Sequence, residues 1–284
     1  MLQSPIVHHP AVFDIGPVEL TGFGLAVVFA FVISQIIAQQ ELSRRGHTRE
    51  SEAIPDLIIA AVLGTLIGGK LYYALLNGDL SLVFNRAGLV FWGGLMGGIV
   101  VVTIVIVKKK LSLPRIADVG GICVGAGYAV GRTGCWAVGD DYGTPWNGPL
   151  AVQFPEGLPP STAAVMESSF GVEFPVGTSP DAVIAVHPTQ LYETAMGLVM
   201  FGILWRYRNH KHAEGWLFGV YCVLAGVERF IIEFFRAKDD RFFGTFTMAQ
   251  MIAMGFIALG AGLMYALNTP RAGRPGIHAQ PALG

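Results

Sequence analysis

The sequence predicts an all-α polytopic membrane protein with about seven transmembrane helices. Three observations carry this. First, 52% of the 284 residues are hydrophobic and only 14% are charged, against about 25% charged in soluble domains. Second, apolar runs of roughly 20 residues recur along the whole chain, the length that crosses a bilayer as a helix. Third, the basic residues gather in alternate connecting loops. The runs are continuous rather than alternating every second residue, which excludes the pattern of a membrane β-barrel.

The expected spans are 20–40, 54–76, 88–107, 116–137, 188–206, 214–235 and 246–267. The stretch before the first has no basic region and no cleavage-site pattern, so the first apolar segment is expected to remain as a helix. The second ends in GGKLYYALL, with Lys70 reaching for the interface. The third opens on FWGGLMGG and the fourth runs through GGICVGAGYAVGRTG. Such small-residue clusters suit close helix–helix packing. Residues 1–270 are read as one transmembrane domain, with 138–187 as a loop or small subdomain too long to be a simple connection. Residues 271–284 read as a disordered tail.

The loops SRRGHTRE, KKKLSLPR and RYRNHKH, with Arg271 and Arg274, hold twelve of the nineteen lysines and arginines. The opposite loops hold Arg86, Arg236, Lys238 and Arg241. The N-terminus is therefore expected outside, the C-terminus in the cytoplasm, and the 138–187 loop outside. A net charge of −1 gives no reason to expect a nucleic-acid partner. Three scattered cysteines offer neither a disulfide framework nor metal-ligand spacing, so no metal or cofactor is expected.

A charge inside a span costs roughly 2.5–3.5 kcal/mol and marks a functional site by default. Arg132 and the pair Asp140 and Asp141 close the fourth span, in GRTGCWAVGDDYG. His187 and Glu193 open the fifth, in VHPTQLYE; Glu228, Arg229, Glu233 and Arg236 end the sixth, in VERFIIEFFR. By the topology above, all of these reach the outer half of the membrane. The spacing i, i+4, i+7 puts Arg229, Glu233 and Arg236 on one helix face, with Glu228 turned away. Two arginines around one acid suggest an anion, and phosphate is the anion at this depth. Gly131, Gly134, Gly139 and Gly143 are read as letting the chain turn and bring N–H groups toward a ligand. His187 is the histidine beside these charges; His8, His9, His47, His210 and His212 are expected in solvent.

With GRTGCWAVGDDYG, VHPTQLYE and ERFIIEFFR in this order, the chain resembles the prolipoprotein diacylglyceryl transferase family over nearly its whole length. The resemblance implies a multi-pass enzyme of the bacterial plasma (inner) membrane, with its active site toward the outer leaflet. It would move diacylglyceryl from phosphatidylglycerol to the lipobox cysteine of a preprolipoprotein and release glycerol phosphate. Its partners would be phosphatidylglycerol, the preprolipoprotein signal-peptide region and membrane lipid. Arg132 matches the arginine of the family's GRxGN signature, Gly143 its closing glycine, and Asp140 stands where a glutamate is usual. Arg229 matches the sixth-span arginine; His187, Gln190, Tyr192 and Glu193 match the HPSQLYE-type motif.

Four positions depart from the family pattern: Phe23, Trp92, Cys135 and Val138 replace a tyrosine, a histidine and two asparagines. The implied catalytic set is Arg132, Arg229, His187 and Asp140. The implied substrate-binding set is Gly131, Gly134, Gly143, Gln190, Tyr192, Glu193, Glu233 and Arg236. A thiol attack needs a base; His187 is the first candidate and Asp140 or Asp141 the second. The rival reading is a lipid-binding membrane protein that keeps the arginines and acts on another acceptor or none.

Overall fold

The computed structural model describes residues 6–15, 18–85, 88–237 and 246–269. In chain order the helices are α1 (Gly22–Arg44), α2 (Thr48–Leu76), α3 (Phe91–Lys108), α4 (Leu113–Val138), the short α5 (Ala163–Phe170), α6 (Thr189–Tyr207), α7 (Trp216–Ile232) and α8 (Met248–Ala266). Each of the seven expected segments is thus helical. Four of them, α1, α2, α3 and α8, are long and apolar enough to cross a membrane. The other three hold charges of the expected site: Arg132 in α4, Glu193 in α6, Glu228 and Arg229 in α7. The expected tail 271–284 and the outer-loop residues Arg86, Lys238 and Arg241 lie outside the described residues.

Two boundaries differ from expectation. Helix α2 starts at Thr48 and absorbs the polar stretch before the apolar run, with Pro55 inside its first turns. Helix α7 stops at Ile232, so Arg236 is not on its face; the chain instead turns to pair Arg236 with Gly143 as an antiparallel bridge. Five short strands were not expected at all. β1 (Ile6–Val7) runs parallel to β4 (Val152–Gln153), which pairs antiparallel with β5 (Ala185–Val186). β2 (Val12–Ile15) and β3 (Val18–Thr21) form a hairpin that delivers the chain to α1, where Thr21 caps the helix by accepting from the Gly24 N–H at 3.2 Å.

Helix α4 is central, packed against α1, α6 and α7, while α2 lies along α3 and α7 along α8. The α2–α3 contact is backbone to backbone. A Cβ on Gly68 would lie 2.2 Å from the Gly93 carbonyl oxygen, and one on Gly97 2.3 Å from that of Gly64. No side chain fits there, which is the close packing the glycine clusters suggested. The outer faces of α2 and α3 expose Leu63, Ile67, Leu75, Met96 and Ile99, an apolar surface that lipid covers without cost and water does not.

At one end of the helices, β1, β4, β5 and α5 enclose a separate core of Tyr142, Val152, Phe154, Met166, Val186 and Ala237. His8, expected in solvent, is buried here edge-on to Trp136. At the other end, buried Glu41 pairs with Arg44 and Arg45, and Arg115 pairs with Glu50 and Glu214. Asp118 caps α7 from across the bundle, accepting the Gly215 and Phe218 N–H groups at 2.9 Å each. The His210 side chain, 3.7 Å from Asp118, is only 3% exposed, and His47 is buried.

Candidate active site

The site begins where α4 ends. Gly139 takes the left-handed conformation at φ 71, the usual way to close a helix. Asp141, at φ 55, does the same without being glycine, a conformation few residues with a side chain adopt. Two side chains of the HPTQLYE segment hold the turn in place. The Thr189 hydroxyl donates to the Asp141 carbonyl at 2.6 Å, and the Gln190 amide donates to the Asp140 carbonyl. Gln190 is wholly buried.

Gly143 is the crossing point of three segments. Its N–H donates to the His187 carbonyl at 2.9 Å, and the Thr144 N–H donates to the Phe235 carbonyl at 2.8 Å. A Cβ on Gly143 would lie 2.3 Å from that Phe235 oxygen. The expectation that glycines here let the chain turn holds for Gly139 and fails for Gly131 and Gly134. Both lie inside α4, where the helix uses their N–H groups. Gly134 packs on Ala26 and Phe23 of α1, and Gly131 faces open space.

This scaffold gathers an ion network. Arg132 donates to Asp141 through Nη1 at 2.9 Å and to Glu193 through Nη2. Arg236 donates to the other Asp141 oxygen at 3.1 Å and stands 3.8 Å from Glu193. Glu193 is buried and Asp141 partly exposed, so the two arginines share one dry carboxylate and one wet one. Arg132 Nε is buried with no hydrogen-bond partner among the described residues. Arg229 stands apart from this network: it pairs with Glu233 at 2.7 Å, in a geometry too oblique for a hydrogen bond. The sequence expectation joined Arg229, Glu233 and Arg236 on one face; the structure joins Arg236 to Arg132, because α7 ends before Arg236.

Burial pushes the Asp140 carboxyl up to about 6, reinforced by the neighbouring Asp141. For Asp141 burial acts in the same direction, but Arg236 and Arg132 more than offset it and hold the carboxyl below its ordinary value. Cys135 Sγ lies with the Asp140 and Asp141 carboxylates, all within 4.8 Å of one another. That spacing resembles a metal site, yet Arg132 already puts its positive charge against both Cys135 and Asp141.

His187 stacks flat on Trp146, with ring centroids 4.4 Å apart, and meets Phe235 edge-on. Its Nδ1 is 3.2 Å from the Tyr192 hydroxyl. Burial lowers its pKa, which favours the neutral ring. Sequence reasoning missed Trp146, Thr189 and Tyr128. Tyr128 had a readable signal: it stands four residues before Arg132, hence on the same face of α4. Its hydroxyl reaches Glu193 at 3.1 Å and Glu228 at 2.8 Å.

A family model described as prolipoprotein diacylglyceryl transferase matches residues 10–266. The chain is 30% identical over 281 residues to a protein of Bordetella bronchiseptica, covering 93% of this chain and 96% of that one. It is 28% identical to one of Geobacter sulfurreducens, covering 96% of this chain and all of the other. With one of Xanthomonas oryzae pv. oryzae it shares 29% identity over 90% of each. All three relatives carry the name phosphatidylglycerol–prolipoprotein diacylglyceryl transferase.

Proposed function

Because the chain belongs to the prolipoprotein diacylglyceryl transferase family, we propose that it transfers diacylglyceryl from phosphatidylglycerol to the cysteine thiol of a preprolipoprotein. The single observation that carries this is the Arg132–Arg236 network: two guanidinium groups meet where α4, α6 and the end of α7 converge. Arginine forks suit a phosphodiester, and the unpartnered Nε of Arg132 leaves a donor for one. Arg229 supplies a third cation on the same helix end.

In the reaction the thiolate sulfur attacks the glyceryl carbon, the S–C bond forms and the C–O bond to phosphate breaks. Glycerol phosphate leaves with the bonding electrons. The leaving phosphate gains charge as it departs, so donors already aimed at it stabilise the transition state more than the ground state. The thiol proton needs an acceptor, and His187 is the first candidate. For that role its Nδ1–H must donate to the Tyr192 oxygen, which leaves Nε2 free to accept. Asp140, with a carboxyl held near 6, is the second. Gln190 serves by fixing the turn, and Gly143 by allowing the three segments to cross. Gly131 leaves room beside α4 for substrate, Gly134 lets α4 pack closely on α1, and Glu193 and Glu233 orient the arginines.

The same proposal sets the chain in the bacterial inner membrane with seven spans, N-terminus outside and C-terminus in the cytoplasm. The site then opens toward the outer leaflet, beside the folded 138–187 segment, where the signal-peptide region of the preprolipoprotein and membrane lipid would enter. The alternation of basic loops supports this topology. So does the gathering of Arg132 and Glu193, near one end of α4 and of α6, with Arg236 just past the end of α7.

The test uses purified protein, phosphatidylglycerol and a synthetic lipobox peptide with its cysteine intact or changed to alanine. Mass spectrometry is expected to find a thioether-linked diacylglyceryl adduct on the cysteine peptide alone, with glycerol phosphate released. Glycerol phosphate without an adduct would point to another acceptor. Bound lipid with neither product would establish the non-catalytic reading instead.

A further inference from the structure

At Glu193 Oε1, the oxygen 3.8 Å from Arg236, three polar groups from three helices meet in the interior. Tyr128 of α4 places one hydroxyl between Glu193 of α6, at 3.1 Å, and Glu228 of α7, at 2.8 Å. Both glutamates are buried. A phenol hydroxyl has one proton to donate and an ionised carboxylate has none. If both glutamates were ionised, one would face the hydroxyl's lone pairs with no hydrogen between them. Where the hydroxyl turns to Glu193, that one is Glu228, whose hydrogen bond is to Tyr128 alone among the described residues. A further proton on one of the carboxyls removes the conflict.

The surroundings decide which glutamate holds it. Glu193 faces Arg132 and Arg236. Glu228 has Tyr128 as its hydrogen-bond partner, with Glu193 nearby as a like charge and Arg229 and Arg132 acting on it only at longer range. We propose that Glu228 is a neutral carboxylic acid in the working protein, and that it donates to Tyr128, which donates to an ionised Glu193. Tyr128 and Glu228 are then positioning residues, acting through Glu193 on Arg132. No atom of either need touch substrate.

This rests on the transferase reading for its use but not for its existence. Among the described residues, three arginines (Arg132, Arg229, Arg236) stand near five carboxyls: Asp140, Asp141, Glu193, Glu228 and Glu233. With every carboxyl ionised the cluster would hold two more negative than positive charges; a proton kept on Glu228 halves that excess and lets the tyrosine link be made without drawing on the arginines.

The test is infrared difference spectroscopy on the full-length protein in lipid nanodiscs at neutral pH. A deuterium-sensitive carbonyl stretch of a protonated carboxylic acid is expected, lost in Glu228→Gln and retained in Asp140→Asn. If no such band disappears in Glu228→Gln, Glu228 is ionised and the proposal fails, whatever the activity. Glutamine keeps the donor that the neutral acid supplies, so Glu228→Gln should hold turnover within about threefold. Tyr128→Phe breaks the chain and should lower kcat by roughly tenfold to a hundredfold, the range for a hydrogen bond to a charged group. A Glu228→Gln variant as impaired as Tyr128→Phe would overturn the positioning role. Because the band needs no turnover, absence of transferase activity would leave the spectroscopic arm decisive.

Discussion

Gly143→Ala adds one carbon at the point where three segments of backbone cross, and its consequences can be worked out in some detail. Gly143 does not need glycine for its dihedral angles, since it is absent from the positions of positive φ. It needs glycine for space. The added Cβ would lie 2.3 Å from the Phe235 carbonyl oxygen and 2.8 Å from both His187 Cβ and Thr189 Cγ2. Ordinary contact begins near 3.4 Å, so something must move by about 1 Å. The oxygen in the way accepts the Thr144 N–H at 2.8 Å, and the residue adjoining it, Arg236, carries the contact to Asp141. Overpacking costs about 1–3 kcal/mol, and losing one or two hydrogen bonds about 1 kcal/mol each. The expected loss is therefore about 2–5 kcal/mol, together with displacement of Arg236. Chemical denaturation in detergent would give the stability, and the peptide-lipidation assay the activity. Both should fall. Wild-type stability with wild-type turnover would show that the three segments are not rigidly joined, and would refute the reasoning.

Other substitutions probe separate parts of the site. Asp140 has a folded-state pKa of about 6, above the unfolded value near 3.9, so the unfolded state binds fewer protons between these values and stability should fall as pH rises through that window. Asp140→Asn should abolish that fall, measured by melting at a series of pH values. Gln190→Ala frees the Asp140 carbonyl inside the fold, with an expected cost of about 1–3 kcal/mol and a looser turn, seen as faster amide exchange at 139–143. His187→Ala should leave phosphatidylglycerol binding intact and lower turnover by about 10²–10⁴-fold if the imidazole is the base. Unchanged turnover would transfer that role to Asp140.

The helices were legible because an apolar run of spanning length has few other uses. Their charged ends were legible because a buried arginine is too costly to be incidental. What could not be read was who pairs with whom. The i, i+4, i+7 rule joins Arg236 to Arg229 only while the helix continues, and nothing in VERFIIEFFR marks its end at Ile232. The folding of 139–187 was opaque for a related reason. Its strands are two residues long and gain their partners from segments as distant as Ile6, so no local periodicity announces them. The motif HPTQLYE was conspicuous, yet two of its residues, Thr189 and Gln190, turn out to hold backbone carbonyls. A string of polar residues shows that something is held, not what.

By the family resemblance, Phe23 and Trp92 stand where a hydroxyl and an imidazole would be expected, and Cys135 and Val138 where two amides would be. Tyr128, which no motif names, and Glu228, the first residue of ERFIIEFFR, meet beside Glu193. A buried carboxylate beside two arginines is stable only if its remaining lone pairs are satisfied. In this chain the Tyr128 hydroxyl performs that task for Glu193. On the proposed function, the arginines would turn toward an incoming phosphate while the Tyr128 hydroxyl kept its hydrogen bond to Glu193.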